Sequence, residues 1–342
     1  MYSAQYISST SSCTPRALLL LFVFFSFSAN TSLLRAQDIH FSQIDANPIL
    51  FNPAYSGFFD GTGRFGVIYR NQWASVSRAF QTIAATAEVS LLRRRYYRDG
   101  LSLGFILYSD RAGTLSYGTT SGNVILSYYK ALDAGNSSFI SVAAEAGMGQ
   151  AGFNTSDIEL EDPTDDISET SVNFLSFGAG VAWFYEPNDD LYLKIGLSGR
   201  NLNRPNVTYL DQGDAFIERK FSAYARAEYR AFGDVAVLPL AAALVQRNYK
   251  EIMFGCDVKW YLSESSGHRL SIIGGLRYRW LDAALLELAV EYNAFLFTLT
   301  YDANISKLTP ASHSVGSFEI GIVYRMVHNK RVNRKAMPCP II

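Results

Sequence analysis

The sequence has 342 residues, a formal net charge of −1 and 18% charged residues. That balance gives no reason to expect a nucleic-acid partner. Aromatic residues are plentiful, with 21 Tyr and 23 Phe, yet beyond the amino-terminal segment no apolar run reaches the ~18 residues that a membrane-spanning helix needs.

The chain opens with an export signal. Arg16 precedes the apolar run Ala17 to Ala29, and a small-residue end follows at Leu34-Arg35-Ala36. This predicts a secretory signal peptide over residues 1–36, cleaved after Ala36. Cys13 lies before the apolar run, so it is not a lipoprotein cysteine. Residues 37–61 carry two Asn-Pro pairs, Asn47-Pro48 and Asn52-Pro53. Such pairs break regular elements, so this stretch reads as an irregular arm.

From residue 62 onward the dominant period is two. In Asp190–Asn201, Leu191, Leu193, Ile195 and Leu197 alternate with Tyr192, Lys194, Gly196, Ser198 and Arg200. A strand with that pattern has one apolar and one polar face. Comparable segments lie at 62–70, 80–90, 100–109, 118–130, 137–150, 172–186, 190–201, 219–231, 235–247, 251–262, 268–281, 284–292, 294–302 and 316–327. An even strand number near fourteen, at about the length a tilted strand needs to cross a bilayer, predicts an all-β transmembrane antiparallel barrel. A soluble sandwich shares the alternation but not the parity of the connections. The longest, Ala151 to Ser171, Leu202 to Glu218 and Ala303 to Val315, are all odd-numbered, whereas Pro187-Asn188-Asp189, Phe232-Gly233-Asp234 and the Asn293 turn are tight and even. Long outer loops and short periplasmic turns put the barrel at 62–327 and a basic periplasmic tail at 328–342, with both termini periplasmic. The arm then either tucks into the barrel or lies along its periplasmic rim.

The faces sort in the same way. Phe221, Ala223, Ala225 and Ala227 would meet lipid, with Ser222, Tyr224, Arg226, Glu228 and Arg230 inside; Leu270, Ile272, Leu276, Tyr278 and Trp280 point out, with Arg269, Ser271, Arg277 and Arg279 in. The last strand turns Phe318, Ile320, Ile322, Tyr324 and Met326 outward and Glu319 and Arg325 inward. A charge on the lipid face costs ~2–4 kcal/mol at mid-bilayer, which assigns the polar faces to the lumen. Trp183, Trp260 and Trp280 near strand ends suit interfacial girdles. Cys256 falls on the apolar face and Cys339 in the tail, which argues against a disulfide between them.

Certain motifs resemble a known family. Asp38-Ile39-His40-Phe41-Ser42-Gln43, then Asn47-Pro48, Asn52-Pro53-Ala54-Tyr55-Ser56-Gly57 and Tyr69-Arg70-Asn71-Gln72-Trp73, resemble the PorP/SprF proteins linked to type IX secretion in Bacteroidota. Gly316-Ser317-Phe318-Glu319-Ile320-Gly321 and the ending Pro338-Cys339-Pro340 resemble it too. The chain departs from the family pattern at Ile39 and at its terminal Ile341-Ile342. The resemblance implies a location in the outer membrane of a Gram-negative cell. It also implies a non-enzymatic role in exporting or anchoring a large secreted protein or gliding adhesin, with other secretion components as partners.

The candidate sites each carry two readings. The lumenal charges Glu88, Lys194, Arg226, Glu228, Asp257, Lys259, Arg277, Arg279, Glu287, Glu291 and Glu319 form either a salt-bridged filling or the lining of a polar conduit. The acidic fifth connection, with Asp157, Glu159, Glu161, Asp162, Asp165 and Asp166, is a solvated loop, a Ca²⁺ site or a partner surface; it lacks EF-hand spacing. Together with His40, Asn47, Pro48, Asn52 and Pro53 of the arm, it forms the expected partner-binding set. Arg93-Arg94-Arg95 and the tail basics Lys330, Arg331, Arg334 and Lys335 are solvated or touch periplasmic partners. No Gly-x-Ser-x-Gly elbow or His-Glu-x-x-His pair occurs, and His40, His268, His313 and His328 are scattered, so no catalytic, metal or cofactor constellation is expected. The alternative function is a channel or transporter for a small or hydrophobic solute.

Overall fold

The computed structural model describes residues 41–72, 80–94, 99–112, 117–153, 171–208, 215–265, 268–306 and 315–326. Their strands are β1 (Gly63–Gln72), β2 (Phe80–Arg94), β3 (Asp99–Ala112), β4 (Tyr117–Ala131), β5 (Ser138–Gly152), β6 (Ser171–Asn188) and β7 (Leu191–Arg200). They continue as β8 (Lys220–Phe232), β9 (Val235–Gln246), β10 (Tyr249–Ser265), β11 (His268–Arg279), β12 (Ala283–Tyr292), β13 (Phe295–Asn304) and β14 (Val315–Met326). Each strand pairs with its neighbours in sequence, and β1 pairs antiparallel with β14, from Gly63↔Met326 to Gln72↔Ser317, closing a fourteen-stranded barrel. Closure leaves no edge strand, which is what a sheet in lipid requires.

The expected strands are all present. Several run a few residues past their expected ends, and β2 and β10 each carry a bulge there. The β2–β3 register shifts between Ser90 and Leu92, and the β10–β11 register shifts between Tyr261 and Ser263. A bulge breaks the inward–outward alternation while hydrogen bonding continues beyond it. Asn293 takes φ 53 in the two-residue β12–β13 turn, a conformation Asn tolerates at small cost.

The outer surface is apolar. Leu276, Leu288, Phe297, Ile320 and Ile322 are exposed on it, and so is the free Cys256. The expected inward residues Arg226, Arg277, Arg279, Glu287, Glu291, Glu319 and Arg325 are buried. Trp280 follows the last residue of β11, and Trp260 pairs with Val235 at the opposite end of the wall.

The barrel has two rims. At one, β1 begins, β14 ends and the even-numbered turns lie; at the other lie the odd-numbered connections, including the long ones. Residues 42–60 run inside the barrel, and within 42–59 only Phe51 is not buried.

Candidate functional site: a plug seated in the lumen

Two short 3₁₀ turns shape the arm, Pro48–Leu50 and Pro53–Tyr55. Proline suits the first position of a helical turn because its missing N–H has no partner to lose there. Asn52 caps the second turn by accepting from the Ala54 N–H at 2.9 Å. Its side-chain amide also donates to the wall carbonyls of Val181 and Leu197 at 3.1 and 3.2 Å. Asn47 accepts from Thr86 Oγ1 at 2.8 Å. The Asn-Pro pairs thus fold the arm locally and fix it to the wall.

Glycines in the wall make room for these side chains. A Cβ on Gly66 would meet Asn47 Oδ1 at 1.8 Å, one on Gly180 would meet Asn52 Oδ1 at 2.1 Å, and one on Gly196 would meet Tyr55 Oη at 2.4 Å. Each socket exists because the wall residue has no side chain.

Charge holds the centre. Asp45 accepts from Lys194 at 2.8 Å and from Tyr224 Oη at 2.6 Å, and is ion-paired with Arg226. Arg226 reaches Asp257 at 2.9 Å, Asp257 is shared with Arg277 at 2.9 Å, and Arg277 also pairs with Glu287. Lys194 lies over the rings of Tyr55 and Tyr224, at 5.0 and 5.1 Å. Burying so many charges is tolerable only because each finds partners.

A second polar cluster lies toward the long-loop rim. The backbone N–H groups of Ser42 and Gln43 donate to the Glu319 carboxylate at 2.9 and 3.1 Å, and Arg70 pairs with the same carboxylate. Arg279 donates to Ser42 Oγ at 2.6 Å and to Asp302 at 3.1 Å. Arg200 donates to the carbonyls of Ile49 and Leu50, both at 2.6 Å, while held by Glu145. Toward the other rim the contact is aromatic. Phe58 stacks on Phe184 at 3.7 Å, with Tyr129 and Phe139 edge-on. Below it, Asp60 pairs with Arg269 at 3.3 Å. A cavity of ≈ 30 Å³ lies along the arm, lined by Pro48, Tyr55, Phe58 and Phe59, and one of ≈ 10 Å³ lies in the wall beside Glu145 and Arg200; each has room for a water or two.

Four expected partner-binding residues, Asn47, Pro48, Asn52 and Pro53, are therefore buried against the wall. His40 and the acidic residues Asp157, Glu159, Glu161, Asp162, Asp165 and Asp166 lie outside the described residues, as do the Arg95 turn and the basic tail. Plug contacts are also carried by Asp45, Gly66 and Gly180, which the sequence did not mark out, and by Ser42, Gln43, Gly196 and Arg200, which figured there only within a family-like motif or a strand face. A lone acid between two family-like motifs was the only available signal for Asp45. Among the described residues no cluster of His, Cys, Asp and Glu is arranged to hold a metal.

The sequence profile described as type IX secretion system membrane protein PorP/SprF matches residues 33–324. The chain belongs to the PorP/SprF family. As a PorP/SprF barrel it resides in the outer membrane. No curated protein matches it. Solved structures with a similar fold include the toluene transporter TodX of Pseudomonas putida, at 9% identity and TM-score 0.45, covering 85% of this chain and 95% of that one. The CymD monoaromatic hydrocarbon channel aligns at 10% identity and TM-score 0.46, over 84% of this chain and 94% of that one. CdiB from Escherichia coli aligns at 10% identity and TM-score 0.44, over 76% of this chain and 63% of that one.

Proposed function

We propose that this PorP/SprF protein is a non-enzymatic contact barrel of type IX secretion, assisting export or surface anchoring of a large secreted protein or gliding adhesin. One observation carries the reading: the lumen is occupied from rim to rim by the protein's own residues 42–60. A barrel filled in this way offers partners its rims. Long connections facing outward would meet the cargo, with the acidic segment Asp157–Asp166 steering a basic surface toward it. The short turns would face other secretion components. Buried carboxylates such as Asp257 and Glu319 are engaged in ion pairs, which leaves them no free role as acid or base.

A channel for a small or hydrophobic solute is the second reading. The polar wall behind the plug favours it, because Arg70, Lys194, Arg226 and Arg277 would line a conduit if the arm left. Affinity capture from gently solubilised outer membranes tests the first reading. Recovery of one large secreted protein, lost when residues 151–171 are shortened, supports it. A partnerless barrel that passes solute in a planar bilayer supports the second.

A further inference from the structure

The ≈ 30 Å³ cavity lies toward the short-turn rim, where β1 begins and β14 ends. Its lining includes Tyr55, Phe58 and Phe59 of the arm and Arg64, Lys194 and Arg325 of the wall. Every charged group in that lining, among the described residues, is a cation. Each cation has its own carboxylate: Glu88 on Arg64 at 2.7 Å, Asp45 on Lys194 at 2.8 Å, and Glu291 on Arg325. None of those three carboxylates lines the cavity. Two lining residues also hold a leftover polar atom. Tyr55 Oη and Arg325 Nε are buried without a hydrogen-bond partner. A buried donor left unmet costs stability, so the structure around it is expected to supply an acceptor.

We propose that this cavity binds one halide ion, chloride in the cell, through Tyr55 Oη and Arg325 Nε in the combined field of Arg64 and Lys194. A water could accept from both donors, but it brings no charge to a space lined by three cations. Hydrogen bonds to an ionised acceptor are also the stronger ones. Size selects the ion: room for a water or two admits a halide and excludes phosphate, sulfate or a lipid headgroup. Arg64 marks the way in, since its side chain is 11% exposed against 5% for Lys194 and Arg325. The ion would join Tyr55, the last residue of the second arm turn, to β14, and so help to seat the plug. The inference does not depend on the contact-barrel reading, because the same ion fits the plug of a secretion barrel or of a channel.

The test has a crystallographic and a solution arm. The purified barrel is crystallised from sodium bromide, and diffraction is collected at the bromine absorption edge. The expected result is an anomalous peak inside the cavity, within hydrogen-bond distance of Tyr55 Oη and Arg325 Nε. A water there without anomalous signal, or bromide on the outer surface alone, overturns the proposal. In solution, the urea midpoint of the barrel in detergent is followed as chloride replaces gluconate at constant ionic strength, gluconate being too large for the cavity. The midpoint should rise with chloride and saturate. Tyr55→Phe keeps the ring and removes one donor, so it should need ~10-fold more chloride for half the rise, as the loss of one hydrogen bond to a charged group implies. No response to chloride, or an unsaturated rise shared equally by both proteins, overturns the proposal.

Discussion

The side-chain oxygen of Asn52 occupies the space a Cβ would fill on Gly180, only 2.1 Å from where that atom would stand. The residues are far apart in sequence and meet because the arm is threaded through the barrel. Asn52 also bonds the carbonyl of Val181, so the socket and the anchor are adjacent wall positions.

Gly180→Ala should therefore push Asn52 out of its socket. Overpacking of this kind costs about 1–3 kcal/mol. The urea midpoint of the folded barrel should fall, and the arm should become open to protease. Gly274→Ala is the matched control, since its Cβ would meet only Leu288 at 3.9 Å. An equal loss in both variants would show that the effect belongs to strand glycines in general and not to the plug.

The wall was legible in the sequence because lipid and lumen impose opposite demands on alternate residues. Leu276 and Arg277 cannot exchange faces without placing a charge in hydrocarbon. Where a bulge interrupts alternation, as at Leu92 and Ser263, periodicity ended the strand early although pairing continued. The plug was not legible in the same way. Its contacts are long-range, such as Asp45 to Lys194 across 149 positions, and the arm has no period. A socket glycine reads as a weak strand residue until its partner is known.

Asp45→Asn should loosen the centre of the plug. The substitution removes the charge facing Lys194 and Arg226 while keeping the shape. Breaking a buried pair costs about 3–5 kcal/mol, and the lower end is expected because Arg226 keeps Asp257. Asp45→Glu should recover part of the loss. Unfolding titrations of the three proteins in the same detergent decide it, and an unchanged midpoint for Asp45→Asn would mean the ion pair contributes nothing net.

The β4–β5 turn provides a test by pH outside the membrane. Asp133 accepts from the backbone N–H groups of Gly135, Ser137 and Ser138 and from the Ser137 hydroxyl. Slight burial pushes its carboxyl up, and the hydrogen bonds outweigh that and hold it below the ordinary carboxylate value. A depressed native pKa adds turn stability above the unfolded value near ~4, and that stability is lost as pH falls through the lower native value. Amide exchange at Ser137 and Ser138 should be flat from neutral pH down to that range once intrinsic exchange is corrected, and Asp133→Asn should show faster exchange already at neutral pH.

Deleting residues 41–60 removes the plug and leaves every strand intact. The exposed wall would carry the buried cations Arg70, Lys194, Arg200, Lys220, Arg226, Lys259, Arg277, Arg279 and Arg325 against the buried carboxylates Glu88, Glu145, Asp257, Glu287, Glu291, Asp302 and Glu319, without Asp45 to balance the cations. A water-filled lumen with that excess of positive charge should conduct, with a preference for anions. In planar bilayers the full chain should stay closed and the deletion should open steps that favour chloride over potassium. Equal conductance of the two proteins would mean the arm does not seal the barrel, and the contact-barrel reading would lose its supporting observation. Cation preference in the deletion would place the missing charge elsewhere in the lumen and redirect attention to the carboxylates of β12.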